Sequence, residues 1–314
     1  MDFSFDETQK DIQTLAASIF ERATPERIKQ IEATDDGVDR ELWSALADAD
    51  LLGIALPAEL GGSGQSVLEL AVVLQEVGRR VAPVPLLSYA FASLPLAAFA
   101  PRPELFAPGA ILAAKLDDGP VLSAPLADHI VALDGERLVL LERPAIEPTR
   151  TTHRQLAGFV AGDGETLAEG PDVSAFVKRH ALAALCATSV GVFEEALRIT
   201  ASYISERKQF DKPIATFQGA TLLAADAYID LEAIRATTWS AIWRLADGRS
   251  CDDELAIAKF WVADGGQRIV HNCQHLHGGI GVDIDYPIHR YFLWAKYLEL
   301  TMGGATRQLL DICI

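Results

Sequence analysis

Arg207, Gln209 and Phe210 place a guanidinium, an amide and an aromatic ring close together in the run Glu206-Arg207-Lys208-Gln209-Phe210-Asp211-Lys212-Pro213-Ile214-Ala215-Thr216-Phe217-Gln218. The run follows a long apolar-periodic stretch, and Pro213 forces it out of helical geometry. A guanidinium at such a place can hold a diphosphate through two parallel charge-assisted bonds, which a compact lysine ammonium cannot reproduce. The bland alternative is a solvated helix end with Phe210 tucked into the core. Further along, His275-Leu276-His277-Gly278-Gly279-Ile280-Gly281 offers glycines whose backbone can approach an anion and present free N–H groups to it. Neither histidine has a carboxylate or cysteine at metal-ligand spacing, so no metal site is expected.

Together the two segments resemble the C-terminal half of acyl-CoA dehydrogenases, in which R-x-Q-F-x-x-P-I-x-x-F-Q and Q-x-H-G-G-x-G stretches hold the FAD of a neighbouring subunit. The resemblance nominates Arg207, Gln209, Phe210, Gln218, His275, Gly278, Gly279 and Gly281 as cofactor-binding, with His275 standing where the family has glutamine. Upstream, "LLGIALPAELGGSGQS" followed by "EVGRRVAP" is similar to the family's N-terminal helical domain. Leu126-Ala127-Asp128-His129-Ile130-Val131 resembles a strand of its middle domain, and Arg150-Thr151-Thr152-His153-Arg154 stands where that domain turns back toward its last strands.

The departures from the family pattern carry equal weight. The family's T-E-P-x-x-G-S-D loop, which hydrogen-bonds the flavin ring, has no counterpart, because Ala113-Ala114-Lys115-Leu116 leads almost directly into Leu122-Ser123-Ala124. Dehydrogenation of an acyl-CoA needs a general base within reach of the α-proton. The family glutamate in Y-E-G-T aligns with Thr301-Met302-Gly303-Gly304, so Met302 takes the base position, and a thioether cannot accept a proton. Glu299 lies three residues earlier and would need a register shift to substitute. The alternative base position on the first bundle helix falls on Ala181; the neighbours His180 and Arg179 could in principle act, but a histidine at a helix start is more often a cap or surface residue. Leu293-Trp294 replaces the family Arg-Asp, and Gly304 a cofactor-contacting threonine.

The resemblance therefore implies a degenerate subunit that pairs with a catalytic homologue, as an α2β2 heteromer, and lends contacts to the partner's FAD. It implies an acyl-CoA substrate at the partner's site, with steroid side-chain CoA the favoured class. A self-sufficient flavoenzyme using Glu299 and a non-catalytic scaffold are the two rival readings.

The elements that must position these residues follow from periodicity. From Asp6 to about Ala100 the apolar residues recur at helical spacing, with Ile12, Leu15, Ala16 and Ile19 as one stripe and Leu42, Trp43, Leu46 and Ala49 as another. Pro57–Gly64 breaks the pattern, and a third helix runs from Ser66 to Val81, stopping at Pro83. Short β-type runs follow at Ile111 to Ala114, His129 to Leu133, Arg137 to Leu141 and Gln155 to Val160, separated by Asp-Gly and Pro-containing turns. From Ala181 onward the stripes are helical again, with Asp252 or Asp253 as a cap of the third helix and Gly303-Gly304 interrupting the last. The expected fold is mostly α within an α+β class: an N-terminal helical domain over 1–105, an abbreviated middle β domain over 106–176 and a C-terminal four-helix bundle over 177–314.

Composition limits the partners. A formal net charge of −17, from 44 acidic and 27 basic residues, opposes encounter with nucleic acid or an anionic membrane. Cys186, Cys251, Cys273 and Cys313 form no C-x-x-C pair and read as buried thiols in a reducing cytoplasm. Acidic residues near Met1, and no apolar run of the roughly 18 residues needed to span a bilayer, argue against export or insertion.

Overall fold

The computed structural model describes residues 5–313, and the side chain of Cys313 and residues 1–4 lie outside what is described. The N-terminal region holds α1 (Glu7–Phe20), α2 (Pro25–Glu32), α3 (Arg40–Asp48), α4 (Val67–Arg80) and α5 (Leu86–Phe99). Side chains close the N-termini of the first four: Asp6 and Ser66 form capping boxes with Gln9 and Glu69, while Thr24 and Asp39 accept from backbone N–H groups. Asp39 is also gripped by Arg27, which holds the carboxyl below its ordinary range against the cost of burial. The expected stripe on α1 is only partly right, since Leu15 is 43% exposed while Ala16, Ile19 and Phe20 face the core.

The middle region is two small sheets. β1 (Leu112–Lys115), β3 (His129–Asp134), β4 (Arg137–Leu141) and β7 (Gly164–Glu169) form one, in the order β1-β3-β4-β7, with β1 parallel to β3. β2 (Val121–Leu122), β5 (Ala145–Arg150) and β6 (Leu156–Ala161) form the other, in the order β2-β6-β5. Residues 116–120 alone connect β1 to β2, the short path anticipated from the sequence.

The C-terminal half is α6 (Pro171–Glu206), a hairpin of β8 (Lys208–Gln209) and β9 (Lys212–Pro213), then α7 (Gln218–Ala246), α8 (Asp252–His277), α9 (Ile288–Leu300) and α10 (Ala305–Cys313). α6 is 36 residues long and begins well before Ala181. His180 is therefore not at a helix start: it is mid-helix, its ring 4.0 Å from that of Phe176, and burial lowers its pKa. Neither Asp252 nor Asp253 caps α8. Cys251 takes the cap position, and Asp252 instead receives Arg179 at 2.5 and 2.6 Å.

Two glycines join the N-terminal helices to the bundle. A Cβ on Gly191 of α6 would lie 1.9 Å from the Gln75 carbonyl oxygen of α4, and one on Gly78 would lie 2.0 Å from that of Thr188. The two helix backbones touch there, and one continuous core runs through both regions. No described helix is long and apolar enough to cross a membrane.

Candidate functional site

The chain leaves α6 at Arg207, whose backbone is extended at φ −70° and ψ 123°. Gln209 pairs with Lys212 across a two-residue turn in which Phe210 and Asp211 have φ +51° and +62°, the left-handed conformation of a tight primed turn. The Arg207 carbonyl accepts from the Ile214 N–H at 2.9 Å and extends the ladder by one pair. Asparagine and glycine suit such a turn, whereas a bulky aromatic residue at positive φ carries strain of roughly 1–3 kcal/mol. The Phe210 ring is not in the core: it is 89% exposed, its centroid 6.4 Å from that of Phe217 in an edge-on arrangement. Arg207, Gln209 and Lys212 are exposed, and neither cation forms an ion pair among the described residues. Gln218, also exposed, opens α7 without a side-chain cap.

Gly278 ends α8 at φ +61°, and a tight turn spans Gly278–Val282. A Cβ added to Gly278 or Gly279 would meet nothing within 4 Å, so this backbone is open to a ligand, whereas at Gly281 it would lie 2.7 Å from the Gln274 carbonyl oxygen. His275 is exposed and His277 buried.

The fold brings the two segments together through two side chains that sequence reasoning did not single out as a pair. The His277 ring stacks on Tyr203 with centroids 4.5 Å apart, and Tyr286 closes the cluster at 5.3 Å. Tyr203 lies in the last turn of α6, and its carbonyl accepts the Arg207 N–H at 2.8 Å. His277 Nδ1 donates to the Cys273 carbonyl at 2.8 Å, burial lowers the pKa, and Nε2 has no partner among the described residues. An aromatic residue one turn before Arg207 was the available signal. Free cations, an exposed amide and an open glycine turn suit the diphosphate of a dinucleotide. The β1–β2 connection, by contrast, is only residues 116–120.

The segment that the family resemblance places at the base is half-buried. Met302 sits at φ +59° in the break between α9 and α10, half-buried, and its carbonyl accepts from Gln308 Nε2 at 3.0 Å. Glu299 is half-buried and ion-paired with Lys296 at 2.8 Å. Lys259, fully buried, donates to the Leu298 and Glu299 carbonyls at 2.9 Å each and pins the end of α9, with burial pushing its pKa down to about 8. Ala181 is likewise buried. Five surface cavities of about 270 to 720 Å³ are lined by neither Met302 nor Glu299.

One member of the Arg150–Arg154 run is a buried group, and its burial was not read from the sequence. His153, in the turn between β5 and β6, is wedged against Trp294 and Tyr297 of α9, with ring centroids 4.6 and 4.2 Å away. Neither ring nitrogen has a partner among the described residues, and burial pushes the pKa down to about 3. No cluster of three His, Cys, Asp or Glu side chains among the described residues could hold a metal ion.

Comparison with known proteins agrees with this architecture. Residues 6–101 match the acyl-CoA dehydrogenase N-terminal domain and residues 179–313 the acyl-CoA dehydrogenase C-terminal domain. The chain is 35% identical to the acyl-CoA dehydrogenase FadE27 of Mycobacterium tuberculosis, over 98% of this chain and 97% of that one. That alignment spans 363 positions against 314 residues here, so the relative carries extra residues within the matched region. Among solved structures, the ChsE4-ChsE5 complex from Mycobacterium tuberculosis contains a chain matching at a TM-score of 0.91 and 34% identity, covering 100% of this chain and 98% of that one. The Tcur3481-Tcur3483 steroid ACAD G363A variant matches at 0.91 and 38%, covering 98% and 97%. With both domain types in order and relatives aligned from end to end, the chain belongs to the acyl-CoA dehydrogenase family.

Proposed function

We propose that this chain is the non-catalytic subunit of a heteromeric acyl-CoA dehydrogenase and completes the FAD site of a homologous catalytic partner. The observation that carries this is the contrast between its two sites. The hairpin presents a strained, exposed Phe210 and cations that form no ion pair among the described residues, beside an open glycine turn, while the position that the resemblance gives to the base holds a half-buried Met302. Arg207 and Gln209 would hold the cofactor diphosphate, Phe210 would lie against its adenosine end, and the Gly278, Gly279 and Gly281 backbone, with His275 and Gln218, would line the remainder. FAD, when bound, accepts the hydride that leaves the thioester's β-carbon. The α-proton falls to a base on the partner, since Glu299 is occupied by Lys296.

The matched ChsE4-ChsE5 complex and Tcur3481-Tcur3483 steroid ACAD variant each carry the names of two proteins, which supports a two-chain assembly and a steroid side-chain CoA as substrate. Cys186, Cys251 and Cys273 are buried and form no disulfide among the described residues, in keeping with work in the cytoplasm. The test is the flavin content of the complex co-expressed with the partner. A single FAD per pair of unlike chains is expected, and two per pair would overturn the reading.

A further inference from the structure

Lys212 lies in the same hairpin but outside the set of residues that the family resemblance nominates. Its place follows from register. Gln209 and Lys212 are directly opposite each other, as are Lys208 and Pro213, and the Ile214 N–H to Arg207 carbonyl bond makes the next pair. Directly opposed residues share a face of a β-ladder, and successive residues alternate. Arg207, Gln209 and Lys212 therefore stand on one face, and Lys208 stands on the other.

Resting on the function proposed above, we infer that Lys212 is a second cationic contact for the cofactor diphosphate, set opposite Gln209 and acting with Arg207. A dinucleotide diphosphate carries two negative charges, and this face carries two positive ones. The guanidinium can take two oxygens of one phosphoryl group, and the ammonium, a compact point charge, can meet the other. Gln209 stands between them as an uncharged donor, about 5.5 Å from Lys212 at the Cα atoms. Lys212 is exposed and without an ion-pair partner among the described residues, so no competing carboxylate must be displaced. Lys208 is equally exposed and equally charged, which makes it an internal control for charge without position.

The test uses the complex with its catalytic partner and reads FAD dissociation by the rise in flavin fluorescence on dilution, at low and at moderate salt. Lys212→Gln is expected to weaken FAD binding roughly 10- to 150-fold, the value of one charge-assisted hydrogen bond, and to flatten its salt dependence. Lys212→Arg should restore most of the affinity, and Lys208→Gln should leave it unchanged. If Arg207→Ala releases FAD while Lys212→Gln behaves as Lys208→Gln does, the role of Lys212 is refuted and the shared site stands. If Arg207→Ala also keeps its FAD, the shared site itself fails, and this inference with it. Loss of binding in Lys212→Arg equal to that in Lys212→Gln would equally refute a role carried by charge.

Discussion

The imidazole of His277 lies flat on the phenol ring of Tyr203, with planes 22° apart. The contact ties the last turn of α8 to the last turn of α6, and so fixes where the glycine turn lies relative to the arginine-bearing hairpin. Tyr203→Ala should loosen that joint, lowering FAD retention in the complex by more than it lowers the melting temperature. Tyr203→Phe keeps the ring and should behave as wild type. Equal losses in both variants would mean that the hydroxyl, not the stack, matters.

Arg207→Ala should release FAD from the complex, and Arg207→Lys should recover only part of the affinity, because the bidentate geometry is lost. Flavin absorbance after gel filtration measures this. Full occupancy in Arg207→Ala would favour a scaffold that does not touch the cofactor.

Glu299→Gln should leave acyl-CoA-dependent dye reduction by the complex nearly unchanged, since that carboxylate is held by Lys296. Met302→Glu should create no second active site. A loss of turnover in Glu299→Gln with flavin retained would instead mark this chain as the source of the base.

Acid should destabilise the fold through His153. Its folded pKa of about 3 lies below the ordinary value of 6.5, so the unfolded chain takes up a proton that the folded chain refuses. Stability is fully present above pH 6.5 and falls toward pH 3, by about 1.4 kcal/mol per pH unit for a single group. His277 and His289 are lowered too and act in the same direction. His153→Leu should flatten the loss of melting temperature between pH 7 and pH 5. An unchanged slope would show that His153 is already protonated or solvated in the folded protein.

Gly191→Ala should be among the most damaging single substitutions, on the order of 3 kcal/mol, because its methyl would be driven into the α4 backbone at Gln75. A urea midpoint within error of wild type would mean that the two helices separate easily.

Most of the helical stripes, the start of the third helix at Ser66 and four of the strands were legible because each depends on local pattern. What escaped notice depends on context. α2 is short and largely polar, and α5 is apolar on all sides and contains Pro95, so neither shows a clear face. β5 carries Pro148, which speaks against a strand until its edge position is known. The placement of Met302 at the base position came from the family resemblance, not from periodicity or spacing. The stack of His277 on Tyr203 and the isolation of His153 were not legible, because both join residues far apart in the chain.

The tip of the hairpin also bears on the history of the chain. A primed turn built only to fold would be served best by Asn-Gly, and replacing Phe210-Asp211 with that pair should make the isolated subunit more robust. A gene released from its catalytic duty and kept merely as filler would lose nothing by drifting toward that tip. Phe210, with its ring in water and its backbone strained, is the sort of residue that such drift removes first, so its presence accords with a hairpin tip kept for contact with something beyond this chain.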